Sequence, residues 1–211
     1  ARAAGIQPIT GAEVTLVDGS HLTLLAETPE GYANLSRMIA WAHLNSPRLE
    51  PKLALDVLAE HAAGLILLTG CRNGELARLV DAERFDAARA VLRRYHEWFG
   101  SENVFVELQQ NLVHGDTRRN ALLSRLAEEA ALPVVATGNV HYHVRERHRL
   151  QDVVVAIGNR MTLDASHQVR RANSEFALQP HEIVARRFRR FPDALRNTLV
   201  IAERCGSFDL T

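Results

Sequence analysis

His141 and His143 stand two residues apart in Ala136-Thr137-Gly138-Asn139-Val140-His141-Tyr142-His143, directly after an apolar run at 134–137. In extended backbone, residues i and i+2 point to one face, so both imidazoles and the Asn139 amide can share a direction. Imidazole suits zinc, manganese or iron, and amide or carboxylate oxygen suits harder ions. A bare His-x-His is common, so the segment alone does not decide. Three further positions carry ligand-type side chains beside short apolar runs: Glu13 within Gly11-Ala12-Glu13-Val14, His21 just before 22–25, and Cys71 after 65–69 through Gly70. Taken singly, each has a plainer reading. Glu13 reads as an edge-strand acid facing water, and Cys71 as a small buried residue. Taken together, strand-linked positions far apart in sequence that converge at one rim make a polynuclear metal centre. Two or three ions of that kind clamp a phosphodiester and activate water.

The remaining histidines carry less. His43, His61, His96, His148 and His181 lie on or beside predicted helices among charged residues, and His114 and His167 lie in polar loops. Solvated or capping roles account for them. Arg145, Arg147 and Arg149, beside the His-x-His segment, read either as phosphate contacts or as a solvated helix start. Arg186-Arg187-Phe188-Arg189-Arg190 offers four arginines around one aromatic, a phosphate-contacting cluster or a solvated helix end.

Short apolar runs alternate with longer amphipathic stretches, the pattern of β/α units around a parallel sheet or barrel. Strands are predicted at 12–16, 22–25, 65–69, 104–108 and 134–137. The run at 65–68 is apolar at every position, as in a strand covered on both faces. Thr28-Pro29-Glu30 supplies an N-cap, a proline at the first helical position and an early acid. Further helices are predicted at 54–62, with Gly64 as a C-cap, and at 84–99, 118–131, 180–188 and 192–205. After Gly158 the rhythm changes and 161–176 shows little periodicity, which divides the chain into 1–158 and a helical extension at 159–211.

Composition sets outer limits. The 211 residues fit one large domain, or one domain with an extension. Lys+Arg and Asp+Glu both number 25, so any nucleic-acid surface must be a local patch. Two cysteines make no disulfide framework, and a reducing cytoplasm is the simplest compartment. No apolar run is long enough to span a membrane. The opening Ala1-Arg2-Ala3-Ala4-Gly5-Ile6 reads like a helix end entering a strand, as if the chain began inside a domain.

The candidate ligands also carry a resemblance. Gly5-Ile6-Gln7-Pro8-Ile9-Thr10-Gly11-Ala12-Glu13-Val14 resembles the "GI-x-PI-x-G-x-E" segment of the PHP (polymerase and histidinol phosphatase) domain. His21-Leu22-Thr23-Leu24-Leu25-Ala26 with Gly31-Tyr32-Ala33-Asn34-Leu35 resembles the next stretch of that domain in bacterial DNA polymerase III alpha subunits. So do Leu58-Ala59-Glu60-His61 with Gly64-Leu65-Ile66, Thr69-Gly70-Cys71 with Gly74-Glu75, and Phe105-Val106-Glu107-Leu108-Gln109. Asn173-Ser174-Glu175, Asn197-Thr198 and Ile201-Ala202-Glu203-Arg204-Cys205 resemble the passage into a polymerase palm. The run His141-Tyr142-His143-Val144-Arg145 with Leu150-Gln151-Asp152-Val153 is most similar to error-prone alpha-type polymerases.

The resemblance implies an α/β fold, a distorted seven-stranded (β/α)7 barrel whose N-terminal strands would precede Ala1. By position, Glu13, His21, Cys71, Asn139 and His141 would be ligands for divalent ions, with up to three ions of zinc, manganese or magnesium in an intact site. His143 is not a family ligand position. The family pattern has Asp where this chain has Asn139, and an amide brings no negative charge to a cation. The upstream His-x-His, a further Asp and another His are absent and would also precede Ala1. The implied activity is metal-dependent phosphodiester hydrolysis, including 3′→5′ proofreading, within a DNA-directed DNA polymerase. The alternatives are a degenerate scaffold that stabilises the polymerase and docks partners, and a stand-alone small-molecule phosphatase, against which the palm-leading segment argues. Implied partners are the palm and remaining domains of the same chain, DNA and other replisome subunits.

Overall fold

A strand that is apolar at every position must be covered on both faces. In the computed structural model, which describes residues 2–206 and 208, β3 (Leu65–Leu68) is buried at all four positions. Ala1, where the first predicted unit begins, and 207 and 209–211, which end the predicted extension, lie outside the described residues. Leu65 and Leu67 face the main core, and Ile66 and Leu68 face a second cluster with Phe105, Val135, Ile201 and Cys205.

β3 is the middle strand of a five-stranded sheet in the order β1 (Gly11–Thr15), β2 (His21–Ala26), β3, β4 (Val104–Gln109) and β5 (Val134–Thr137). β3, β4 and β5 run parallel, whereas β1–β2 and β2–β3 are antiparallel. The alternating pattern predicted a parallel sheet; the structure makes it mixed. The reason lies in the β1–β2 connection. A parallel crossover needs about a dozen residues or more, and only a tight turn separates these two strands. There Leu16 N–H donates to Ser20 O at 2.8 Å, and the Ser20 hydroxyl donates to Asp18 Oδ1 at 2.6 Å. The reversal matters for the site. Because β2 opposes β3, its first residue, His21, lies at the edge where β3, β4 and β5 end.

Helices wrap this sheet. α1 (Pro29–Leu44) begins as predicted, with Thr28 Oγ1 accepting the Gly31 N–H at 3.1 Å. α2 (Leu55–Glu60) ends at His61, so Gly64 is not its cap. Gly64 instead adopts φ +71° against the start of α1, where Glu27 N–H donates to its carbonyl at 3.0 Å. A Cβ on Gly31 would come within 1.8 Å of that same carbonyl, so both glycines serve one close approach. α3 (Glu75–Asp81) was not anticipated, and α6 (His148–Gly158) extends the helix start read at Arg145–Arg149. α4 (Phe85–Phe99), α5 (Asp116–Glu129), α7 (His181–Arg187) and α8 (Pro192–Arg204) lie within two residues of their predicted bounds.

Residues 159–180 follow an irregular path with one short turn at Asp164–Ser166. α8 then covers the second face of the sheet. Asn197 Nδ2 donates to Val134 O at 2.8 Å, and Arg204 pairs with Glu27 at 2.6 Å. No described helix is long and apolar enough to cross a membrane.

Candidate metal centre

The register of β1 and β2 builds the first part of the site. Thr15 pairs with His21, which makes Glu13 the diagonal neighbour of His21 on the same face. Their side chains meet, with His21 Nδ1 at 3.4 Å from Glu13 Oε1. The turn after β3 brings in Cys71. Gly70 has φ +89°, and a Cβ there would stand 2.1 Å from His21 O, so only glycine lets the turn pass this closely. Cys71 Sγ then lies 3.8 Å from His21 Nδ1. The ligand atoms of Glu13, His21 and Cys71 all fall within 4.8 Å of one another. His21 is half-buried, Cys71 is buried, and Glu13 keeps an open side to water.

Behind this group stands Glu107 of β4, a buried carboxyl. Its Oε1 accepts from the Thr137 hydroxyl and from Gln109 Nε2, the latter at 2.7 Å. Its Oε2 is buried and, among the described residues, meets no donor in good hydrogen-bond geometry, with the Gly70 backbone N–H nearby. Burial, then the Glu13 charge, pushes the Glu107 carboxyl above its ordinary range. Burial likewise pushes the Cys71 thiol up, and the carboxylates of Glu13 and Glu107 act in the same direction. A cavity of ≈ 20 Å³ adjoins them, lined among others by Cys71, Glu107, Asn111 and Asn139. An orphaned buried oxygen, a thiol and carboxylates that repel one another's negative charge, and an imidazole beside them form a donor set that a divalent cation would satisfy. The residues present therefore fit a metal ion.

The second part of the site lies past the end of β5. Asn139 sits at φ +45°, a region asparagine tolerates better than most side chains. Its Oδ1 is 3.0 Å from His141 Nε2. The same ring nitrogen meets the Arg171 guanidinium, which lies over the Phe176 ring at 5.0 Å from its centroid. Burial and then the Arg171 charge push the His141 imidazole down to about 4, so it is neutral at physiological pH. Backbone bonds tie the segments together: His141 N–H donates to Phe176 O at 2.8 Å, and Leu178 N–H donates to Tyr142 O at 3.2 Å.

The structure thus brings Glu13, His21 and Cys71 into one group and Asn139 and His141 into another. His143 is exposed and outside both. Arg145 is held by Glu175 at 2.8 Å, while Arg147 and Arg149 are exposed at the start of α6. In the arginine cluster, Phe188 is buried in the main core and cannot stack on a base, and Arg187 is paired with Glu175. Arg186, Arg189 and Arg190 instead line an open cleft of ≈ 570 Å³ together with Arg145. Two residues of the site escaped the sequence reading. Glu107 carried a usable signal, an acid inside a short apolar run, as Glu13 did. Arg171 carried none, because it lies in an aperiodic segment thirty residues from His141.

The family model described as "PHP domain" matches residues 1–111, a stretch that contains Glu13, His21, Cys71 and Glu107. The chain belongs to the PHP domain family. The five-stranded sheet and the eight α-helices of the described residues are consistent with the barrel-like α/β architecture of that family, as the resemblance implied. This PHP domain is 41% identical over 221 residues to an error-prone DNA polymerase of Symbiobacterium thermophilum, covering 97% of the chain and 20% of that protein. It is 30% identical over 225 residues to a DNA polymerase III subunit alpha of Borreliella burgdorferi, covering 100% of the chain and 20% of that protein. An error-prone DNA polymerase of Nocardia farcinica matches at 37% over 201 residues, covering 91% and 17%. The chain therefore spans between 17% and 20% of the length of these curated relatives.

Proposed function

We propose that this PHP domain is part of a DNA polymerase III alpha-type or error-prone polymerase and hydrolyses phosphodiester bonds with a divalent ion held by Glu13, His21 and Cys71. The observation that carries this reading is the convergence of those three ligand atoms within 4.8 Å beside the unpartnered oxygen of Glu107. A bound divalent ion supplies Lewis-acid charge to a phosphate oxygen and lowers the pKa of water. The protein's own residues do the rest. His21 and Cys71 fix the position from the protein side, while the exposed Glu13 leaves the solvent side open to a substrate. Arg171, and the arginines Arg186, Arg189 and Arg190 of the open cleft, are the positive side chains offered to the phosphates of a bound strand. A DNA strand is the substrate we assign to this site on the likeness to DNA polymerases, and the remaining polymerase domains are the partners that would deliver its 3′ end.

The test uses the full-length protein with a 3′-labelled single strand in manganese or zinc buffer. Metal-dependent release of 3′ nucleotides is expected, lost on His21→Ala. Equal release by the His21→Ala protein would sink the reading. A scaffold role draws support from one feature, the neutral Asn139 at a position where the family pattern has an acid. The same assay separates it, because a scaffold releases no nucleotide at any metal concentration.

A further inference from the structure

The two groups of the site differ in what they can offer a cation. Glu13, His21 and Cys71 have ligand atoms turned toward one another, and among the described residues no positive side chain is bonded to them. On the other side, His141 Nε2 touches both Asn139 Oδ1, at 3.0 Å, and the Arg171 guanidinium. A neutral imidazole has one ring nitrogen that can accept, with a single lone pair in the ring plane. When it accepts from Arg171, nothing is left for an ion. Asn139 adds an amide oxygen but no charge. This half of the site does not fit a metal ion as it stands.

Arg171 is held there from several directions. Its guanidinium lies 5.0 Å over the Phe176 ring, and the Glu13 carboxylate attracts it. The segment that carries it is tied down at both ends of the site. Tyr142 OH donates to Asn173 O at 3.2 Å, and Asn173 Nδ2 donates to Asn111 O at 2.8 Å. Asn111 in turn donates to Gly138 O at 2.8 Å, just before Asn139. Arginine keeps its charge at any working pH. A guanidinium so placed repels a second divalent ion.

We propose that Arg171 takes the place of a metal ion on the Asn139–His141 side, so that these residues hold one divalent ion at Glu13–His21–Cys71 and a fixed guanidinium beside it. This inference rests on the metal-dependent reading above. Two positive charges then flank a bound phosphate, as in a two-ion clamp, but one is covalently part of the chain. The guanidinium presents N–H donors to a non-bridging oxygen and needs no metal supply to stay in position.

Manganese EPR on the full-length protein without DNA tests this, with the His21→Ala protein as the blank to be subtracted. The wild-type difference spectrum is expected to show one isolated ion. Arg171→Lys, which keeps the charge, is expected to show the same. The double variant Asn139→Asp/Arg171→Met restores an acid and removes the cation, and an exchange-coupled pair is expected. A coupled pair in the wild type overturns the inference while leaving the metal-dependent function intact, and needs no variant to fold. A double variant that saturates with manganese yet stays at one isolated ion also overturns it. A wild type that binds no ion above the blank removes the proposed function and this inference together.

Discussion

The two halves of the site are built by different means. The Glu13–His21–Cys71 half follows from strand register and one glycine turn, all within or beside the sheet. The Asn139–His141 half depends on a segment that returns from beyond α6 and places Arg171 and Phe176 against the ring. The first half is fixed by local backbone geometry that tolerates little change. The second is fixed by side-chain bonds across long sequence separations, so substitutions should be able to loosen it while the first still stands.

The largest expected effect tests that separation. Asp116 accepts from the N–H groups of Asn111 and Val113, both at 3.0 Å, and pairs with Arg119 at 3.1 Å, with both side chains 8% exposed. Asp116→Ala leaves Arg119 with Asp81 alone and frees the Asn111 loop that holds Gly138. A loss of about 3 kcal/mol in urea denaturation is expected for breaking such a buried pair. Hydrogen exchange should rise at 138–142 before it rises at 69–74. Equal rises in both would merge the two halves into one unit.

Gly70→Ala attacks the other half. The substitution forces an L side chain into φ +89° and its Cβ onto His21 O. A cost of about 2 kcal/mol is expected from the backbone strain. Calorimetric titration should show weakened metal binding, while the NMR signals of His141 stay in place.

Much of the first half was legible because its causes are local. The alternation around Glu13 and the apolar run ending at Thr69-Gly70-Cys71 each name their element. Their convergence was argued from strand ends, yet His21 begins its strand; it reaches the shared rim because β2 runs antiparallel to its neighbours, which no local pattern announced. His141 was legible as a histidine after a strand, but its partner was not. Arg171 lies in a stretch with no helical or strand period, and its place is set by the backbone pairing of Tyr142 with Ala177. His143 shared the i, i+2 logic of an extended strand. β5 ends at Thr137, before either histidine, and Asn139 turns the chain through positive φ, so that logic fails.

Glu107→Gln is the next test in size. Ligand-supporting groups of this kind are worth about 10–100-fold in metal affinity. Burial raises the Glu107 carboxyl above 4.5, so the folded state holds its proton where the unfolded chain releases it. Stability of the metal-free protein should therefore fall as pH rises from 4.5 to the folded-state value. The glutamine variant should lose that slope, measured by melting at a series of pH values.

The smallest effect belongs to His141. Its folded-state value, about 4, lies below the ordinary 6.5, so its contribution is complete above 6.5 and lost as pH falls through 4. The ring keeps an edge open to water, which screens the effect. His141→Asn should flatten the acid limb of the stability curve without changing it above neutral pH.

The most direct measurement is anomalous diffraction at the zinc or manganese absorption edge from crystals grown with saturating metal. A peak is expected among Glu13 Oε1, His21 Nδ1 and Cys71 Sγ, with the oxygen of Glu107 that lacks a partner close behind. Density at that position with no anomalous signal would contradict a metal centre in this PHP domain.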